Sequence, residues 1–172
     1  MKNLYLFVLS SLIAFSVNAQ LNGTYTIGGA SPSYSTVAEA VDSLNKKGVN
    51  GAVNFHIRSG NYNAQFTIKK ISGASATNTI TFKPDPANTS TATIQFNNST
   101  AADNYVIRLK SAKYISFDSL SIGNTSAGQY ATVIAFNDTC EHISFTNSTI
   151  QGSSRYPTSV STALIWDERG TT

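Results

Sequence analysis

Tyr114-Ile-Ser-Phe-Asp-Ser-Leu-Ser-Ile122 and His142-Ile-Ser-Phe-Thr-Asn-Ser-Thr-Ile150 are two nine-residue runs set 28 positions apart. Their Ile, Ser, Phe and final Ile positions are identical. Upstream, Val106-Ile107 corresponds to Val133-Ile134 at a spacing of 27. A period in the twenties built of strands and turns is the mark of a solenoid. Each coil leaves apolar faces and backbone edges that only the next coil covers. A β-sandwich also has short, evenly spaced strands, but it gives no reason for Ile-Ser-Phe to return at one phase. The repeat predicts an all-β fold: a right-handed parallel β-helix, or β-solenoid, with an N-terminal capping amphipathic helix.

Working outward, the same alternation fills the chain from Gly51 on. Val53, Phe55 and Ile57 alternate with Asn54, His56 and Arg58, and Ser59-Gly60-Asn61 reads as a turn. Phe66 and Ile68, Ile80 and Phe82, and Ile94 and Phe96 continue the pattern, with Ser72-Gly73, Pro84-Asp85-Pro86 and Asn97-Asn98 between them. Apolar residues at every second position suit strands buried on one face.

One segment breaks the pattern. After a short strand at Thr24–Ile27 and a loop over Ala30–Ser35, Thr36-Val-Ala-Glu39 has the form of a capping box. Val37, Ala40, Val41 and Leu44 then form a helical stripe. Lys46 and Lys47 complement the dipole at its last turn, and Gly48 stops it. The helix is expected to lie over the open N-terminal end of the solenoid and shield its strand edge.

The first residues have a different purpose. Lys2, the apolar run Leu4–Val17 and the small residues of Val17-Asn18-Ala19 make a signal peptide cleaved before Gln20. The run is too short to span a bilayer, which takes about 20 apolar residues. No membrane span is expected after cleavage, and the protein is expected to be secreted or held at the cell surface. The organisation read from sequence is therefore signal peptide 1–19, N-terminal cap 20–50 and β-helix coils 51–172. Net charge is +3, too small to argue for nucleic acid. Charged residues are 12% of the chain, against about a quarter in an average globular protein, and Ser, Thr and Asn take up the difference. Cys140 is the single cysteine, so no intrachain disulfide forms; it reads as a small buried or turn residue.

Tyr25-Thr-Ile-Gly-Gly, then Tyr34-Ser-Thr-Val-Ala-Glu-Ala-Val-Asp-Ser-Leu-Asn, then Gly51-Ala-Val-Asn-Phe-His-Ile-Arg-Ser-Gly-Asn-Tyr resembles the N-terminal region of secreted pectin-lyase-like β-helix proteins. The likeness is strongest to the large ones of Bacteroidetes type. Tyr105-Val-Ile-Arg-Leu-Lys-Ser-Ala-Lys-Tyr-Ile-Ser-Phe resembles their coil repeat. The resemblance covers nearly the whole mature chain and implies fold and export. It leaves activity open, because that superfamily holds lyases, glycosidases and adhesins. No polar cap follows the strand expected at Ala163–Trp166. The expectation is a chain continuing past Thr172, or another chain covering the last coil by self-association.

Lyases of this fold resemble one another in using Asp/Glu clusters for calcium, an Arg or Lys base and a groove outside one sheet; its hydrolases use Asp pairs on neighbouring coils. No such set is readable here. Asp118 aligns with Thr146, so no carboxylate ladder forms. Asp138 and Glu141 read as one turn, and Asp167-Glu168 as a solvated turn at a strand's end. Neither His56 nor His142 has a Cys or Asp partner in the pattern, so no metal site and no cofactor is expected. Arg58, Lys69, Lys83, Arg108 and Lys110 fall at outward strand positions, with Lys113 on a turn. If they share a face they suit an acidic glycan; otherwise they keep strands soluble. Tyr62, Tyr105, Tyr114, Tyr130 and Tyr156 would form a sugar-stacking platform if brought together. Thr-x-Thr at Thr24, Thr79 and Thr91 is too irregular for an ice-binding array. The Asn-x-Ser/Thr sequons, Asn98 among them, are what a chain so rich in these residues produces by chance. The function expected is a structural, adhesive or glycan-binding role, non-catalytic in this region, with extracellular polysaccharide or cell-surface glycan as partner. The alternative is the N-terminal part of a polysaccharide lyase or glycoside hydrolase whose active coils lie beyond residue 172.

Overall fold

The computed structural model describes residues 19–97, 100–128, 130–153 and 162–168. The leader up to Asn18, Asn98 and Tyr156 lie outside the described residues. Alternating sequence becomes short strands. In chain order these are β1 (Leu21–Ile27), α1 (Val37–Lys47), β2 (Val49–Ile57), β3 (Gly60–Asn63), β4 (Phe66–Ile68), β5 (Ile80–Pro84), β6 (Ala92–Phe96) and β7 (Ile107–Lys110). There follow β8 (Lys113–Asp118), β9 (Ser121–Asn124), β10 (Ile134–Asn137), β11 (Glu141–Thr146), β12 (Thr149–Gln151) and β13 (Ile165–Asp167). In β2, β4, β5, β6, β7 and β8 the alternate apolar positions are buried.

β2 stacks on β1, and from β2 on every third strand stacks on its predecessor in parallel. The first sheet runs β1-β2-β5-β8-β11, the second β3-β6-β9-β12 and the third β4-β7-β10-β13. One coil is one strand from each sheet. This is a right-handed parallel β-helix, the hand that right-twisted strands impose on parallel crossovers. The 28-residue repeat pairs as expected: Ile143 lies against Ile115, Phe145 against Phe117 and Thr146 against Asp118. Ile134 lies against Ile107, as the spacing of 27 requires.

Inside, like stacks on like. Phe55, Phe82, Phe117 and Phe145 form one aromatic column, with centroid separations of 4.8, 5.1 and 4.9 Å. Tyr25 extends it at 5.9 Å from Phe55. Beside it Ile80 pairs with Ile115, and on the second sheet Ile94 pairs with Ile122. Backbone kinks repeat too: Tyr114 in β8 and His142 in β11 share a positive φ (58° and 54°), as do Ser119 and Asn147 just after those strands (57° and 50°).

The helix forms as its sequence directs. Thr36 accepts from the Glu39 amide at 3.1 Å, and the Glu39 carboxylate accepts from Thr36 at 3.3 Å. Val37, Ala40, Val41 and Leu44 are buried. The helix covers an edge directly: Asn45 Nδ2 donates to Thr67 O (2.8 Å), and Asn45 Oδ1 accepts from the Lys69 amide (2.9 Å). One side-chain amide thus does what a neighbouring strand would do for β4.

Several readings of the sequence need correction. Gly60 and Asn61 belong to strand β3, since β6 lies alongside and recruits them; only Ser59 is left at the corner. Lys113 and Glu141 open β8 and β11 and face each other at 3.0 Å, so neither sits on a turn. The last strand begins at Ile165, not Ala163, where pairing with Ile134 sets its register. Glu168 is no solvated turn: its side chain is 17% exposed and 2.8 Å from Arg108. At this end Leu164 and Ile165 are 50% and 55% exposed.

Candidate functional site

The outward cations do not gather on one face. Arg58, just past β2, donates Nη1 to Gly28 O at 3.1 Å and also to Ala30 O. Its Nε lies 3.5 Å from Asp85. It ties the loop after β1 to the second coil. Lys83 stands on the first sheet opposite His56. Burial, then the Lys83 ammonium, hold His56 below the ordinary histidine range, with Asp85 pulling the other way. Lys69 lies just past the end of β4 rather than on a strand, and Arg108 and Lys110 stand on β7 of the third sheet. There the Arg108 guanidinium lies 3.8 Å from the Tyr105 ring centroid. Its Nε and Nη2 donate to Glu168 Oε1 at 3.1 and 2.8 Å. Asn137 donates to the other Glu168 oxygen at 2.9 Å. Lys110 is 3.9 Å from Asp138.

The carboxylates are dispersed in the same way. Asp118 accepts from Asn147 and Thr146, both at 3.0 Å, and these bonds hold its carboxyl below the usual range. Asp42 pairs with Lys46 at 2.6 Å. Among the described residues no cluster of three or more His, Cys, Asp or Glu is placed to hold a metal ion. The Cys140 thiol is half-buried and donates to Leu109 O at 3.3 Å. Tyr62 is on the second sheet, Tyr105 precedes the third and Tyr114 is on the first, so these three make no common platform. Tyr114 instead stacks on His142 at 4.5 Å. Burial raises the Tyr62 hydroxyl pKa, against the pull of Arg58; the hydroxyl donates to Arg58 O at 2.9 Å.

The outer face of the second sheet is of another kind. None of its four strands carries a charged residue. Two rows run across it: Asn61, Thr93, Ser121 and Thr149, then Asn63, Gln95, Gly123 and Gln151. Gly123, between two glutamines, leaves a dip. The dip opens into a cleft of about 290 Å³ lined by Thr93, Gln95, Ser121, Gly123, Gln151 and the wall at Thr125–Ala127. That wall is built by a buried network. Asn124, 5% exposed, donates to Thr132 O at 3.1 Å and accepts from the Ser126 amide at 2.7 Å. The Ser126 hydroxyl accepts from the Gly128 amide at 3.1 Å. The Gln95 and Gln151 amides have no protein partner among the described residues. Sequence reasoning missed this site, though a signal was present: Gln95, Gly123 and Gln151 are themselves 28 apart.

The chain is similar in structure to the deglycosylated pectin methylesterase of Aspergillus niger, at a TM-score of 0.42 and 17% identity. That match covers 87% of this chain and 68% of the other. No family model matches the chain. No curated protein matches it. The class of protein is therefore defined by the fold itself, a parallel β-helix.

Proposed function

We propose that this is a secreted or cell-surface β-helix, non-catalytic over these coils, whose role is structural or adhesive and rests on retaining glycan. The observation that carries the reading is the dispersal of the acids. Asp85, Asp138, Glu141 and Glu168 each face a cation, and Asp118 is held by amide and hydroxyl donors. Hydrolysis of a glycosidic bond needs two carboxyl groups across one bond, and calcium needs several oxygens converging within about 2.6 Å. Among the described residues no three His, Cys, Asp or Glu side chains gather to hold a metal ion, and the carboxylates named above are each engaged by a cation or by amide and hydroxyl donors. What remains on offer is a long polar surface with a cleft.

The test is to incubate the mature chain, Gln20 to Thr172, with acidic and neutral polysaccharides. Unsaturated-product absorbance, reducing ends and retention in affinity electrophoresis are followed together. Retention without product is the expected result. Product formed by this chain alone overturns the reading in favour of a lyase or hydrolase.

A further inference from the structure

We infer that the second-sheet cleft is a subsite for an uncharged glycan lying along the solenoid axis, with Gln95 and Gln151 as its hydrogen-bonding ends and Gly123 as its floor. The inference rests on the glycan-retaining reading and narrows it in place and in ligand class. Four observations converge. First, charge: all four strands of this sheet lack charged residues, whereas the first sheet carries Lys83, Lys113, Asp118 and Glu141 and the third Arg108, Lys110 and Asp167. An acidic polymer gains nothing on the second sheet, and an uncharged one faces no ion there to desolvate.

Second, partners: amides and hydroxyls both donate and accept, as sugar hydroxyls require. Gln95 and Gln151 have these groups unspent. Third, spacing: the two glutamines lie two rungs apart, about 10 Å at the usual strand separation. One rung is close to the length of one pyranose ring, so a disaccharide laid along the axis meets an amide at each end. Fourth, shape: Gly123 is the one residue in its row without a side chain, and the wall beside it is held by buried Asn124 and Ser126. A floor without a Cβ and a rigid wall leave a pre-formed dip, as binding sites generally are.

The floor also supplies the test. A Cβ at Gly123 would meet nothing closer than Gln151 O at 3.5 Å, and its φ is not left-handed. Gly123→Tyr should therefore fold and fill the cleft. Retention is measured for short oligosaccharides of glucose, mannose and xylose, and for oligogalacturonate, with the thermal transition of each variant alongside. The expected result is retention of a neutral oligosaccharide, weakened at least tenfold by Gly123→Tyr and by the double change Gln95→Ala/Gln151→Ala. Lys69→Ala/Lys110→Ala should leave it unchanged. If Gly123→Tyr does not fold, the glutamine pair decides alone. Full retention by the filled or amide-stripped variants overturns the site. Retention of oligogalacturonate alone, lost in Lys69→Ala/Lys110→Ala, overturns this inference and leaves the glycan-retaining reading standing. Retention of none of them ends both.

Discussion

Phe117 is fully buried between Phe82 and Phe145, at 5.1 and 4.9 Å. Phe117→Ala leaves a void between rings that the neighbouring coils cannot close, and should cost about 3–5 kcal/mol in urea unfolding. Phe145→Ala, at the partly exposed end of the column, should cost less. His56 gives the fold a pH dependence. Its pKa in the folded chain lies below the ordinary 6.5. Between the two values the unfolded chain binds more protons than the folded one. Stability is therefore fully present above 6.5 and falls as pH drops through that window. Asp118 acts in the same direction at lower pH, below its ordinary 3.8. The urea midpoint should decline on acidification from neutral, and His56→Gln should flatten the part of the decline nearest pH 6.

At the scale of elements, α1 and β4 depend on each other. Thr36→Ala removes the acceptor for the Glu39 amide and should cost about 1 kcal/mol. Asn45→Ala should do something more local. It withdraws the acceptor from the Lys69 amide, so that amide should exchange with solvent faster while strands remote from β4 keep their protection. Unchanged Lys69 exchange would mean that the helix shields the edge by bulk alone. The helix itself was legible in the sequence down to its cap, because capping and amphipathic spacing are local chemistry. Asn45's task was not: it depends on which backbone lies opposite, and β4 is 22 residues away. Strand β3 was misread for the same reason. Gly60-Asn61 has turn chemistry of its own, and only alignment with β6 makes it a strand.

Taken whole, the molecule is quasi-one-dimensional, with each coil stabilised by its neighbours. Among the described residues β11, β12 and β13 have a partner on one side only. Hydrogen exchange should therefore show a gradient, with β5 and β8 most protected and β11 to β13 least. Equal protection along the chain would argue for a single all-or-none unit instead. By itself the sequence determined the strand periodicity, the coil length and the capping helix, because alternation, turn residues and a 28-residue repeat act within one coil or between adjacent ones. It also separated inward from outward residues, since strand pleating alone does that. Which outward residues share a face was decided only by the tertiary structure. Arg58, Lys83 and Arg108 look equivalent along the chain, yet coil winding sends them to a loop clamp, the first sheet and an ion pair with Glu168, 60 residues on. The cleft has the same origin. Gln95, Gly123 and Gln151 become neighbours because each coil returns the chain to the second sheet one rung further along the axis.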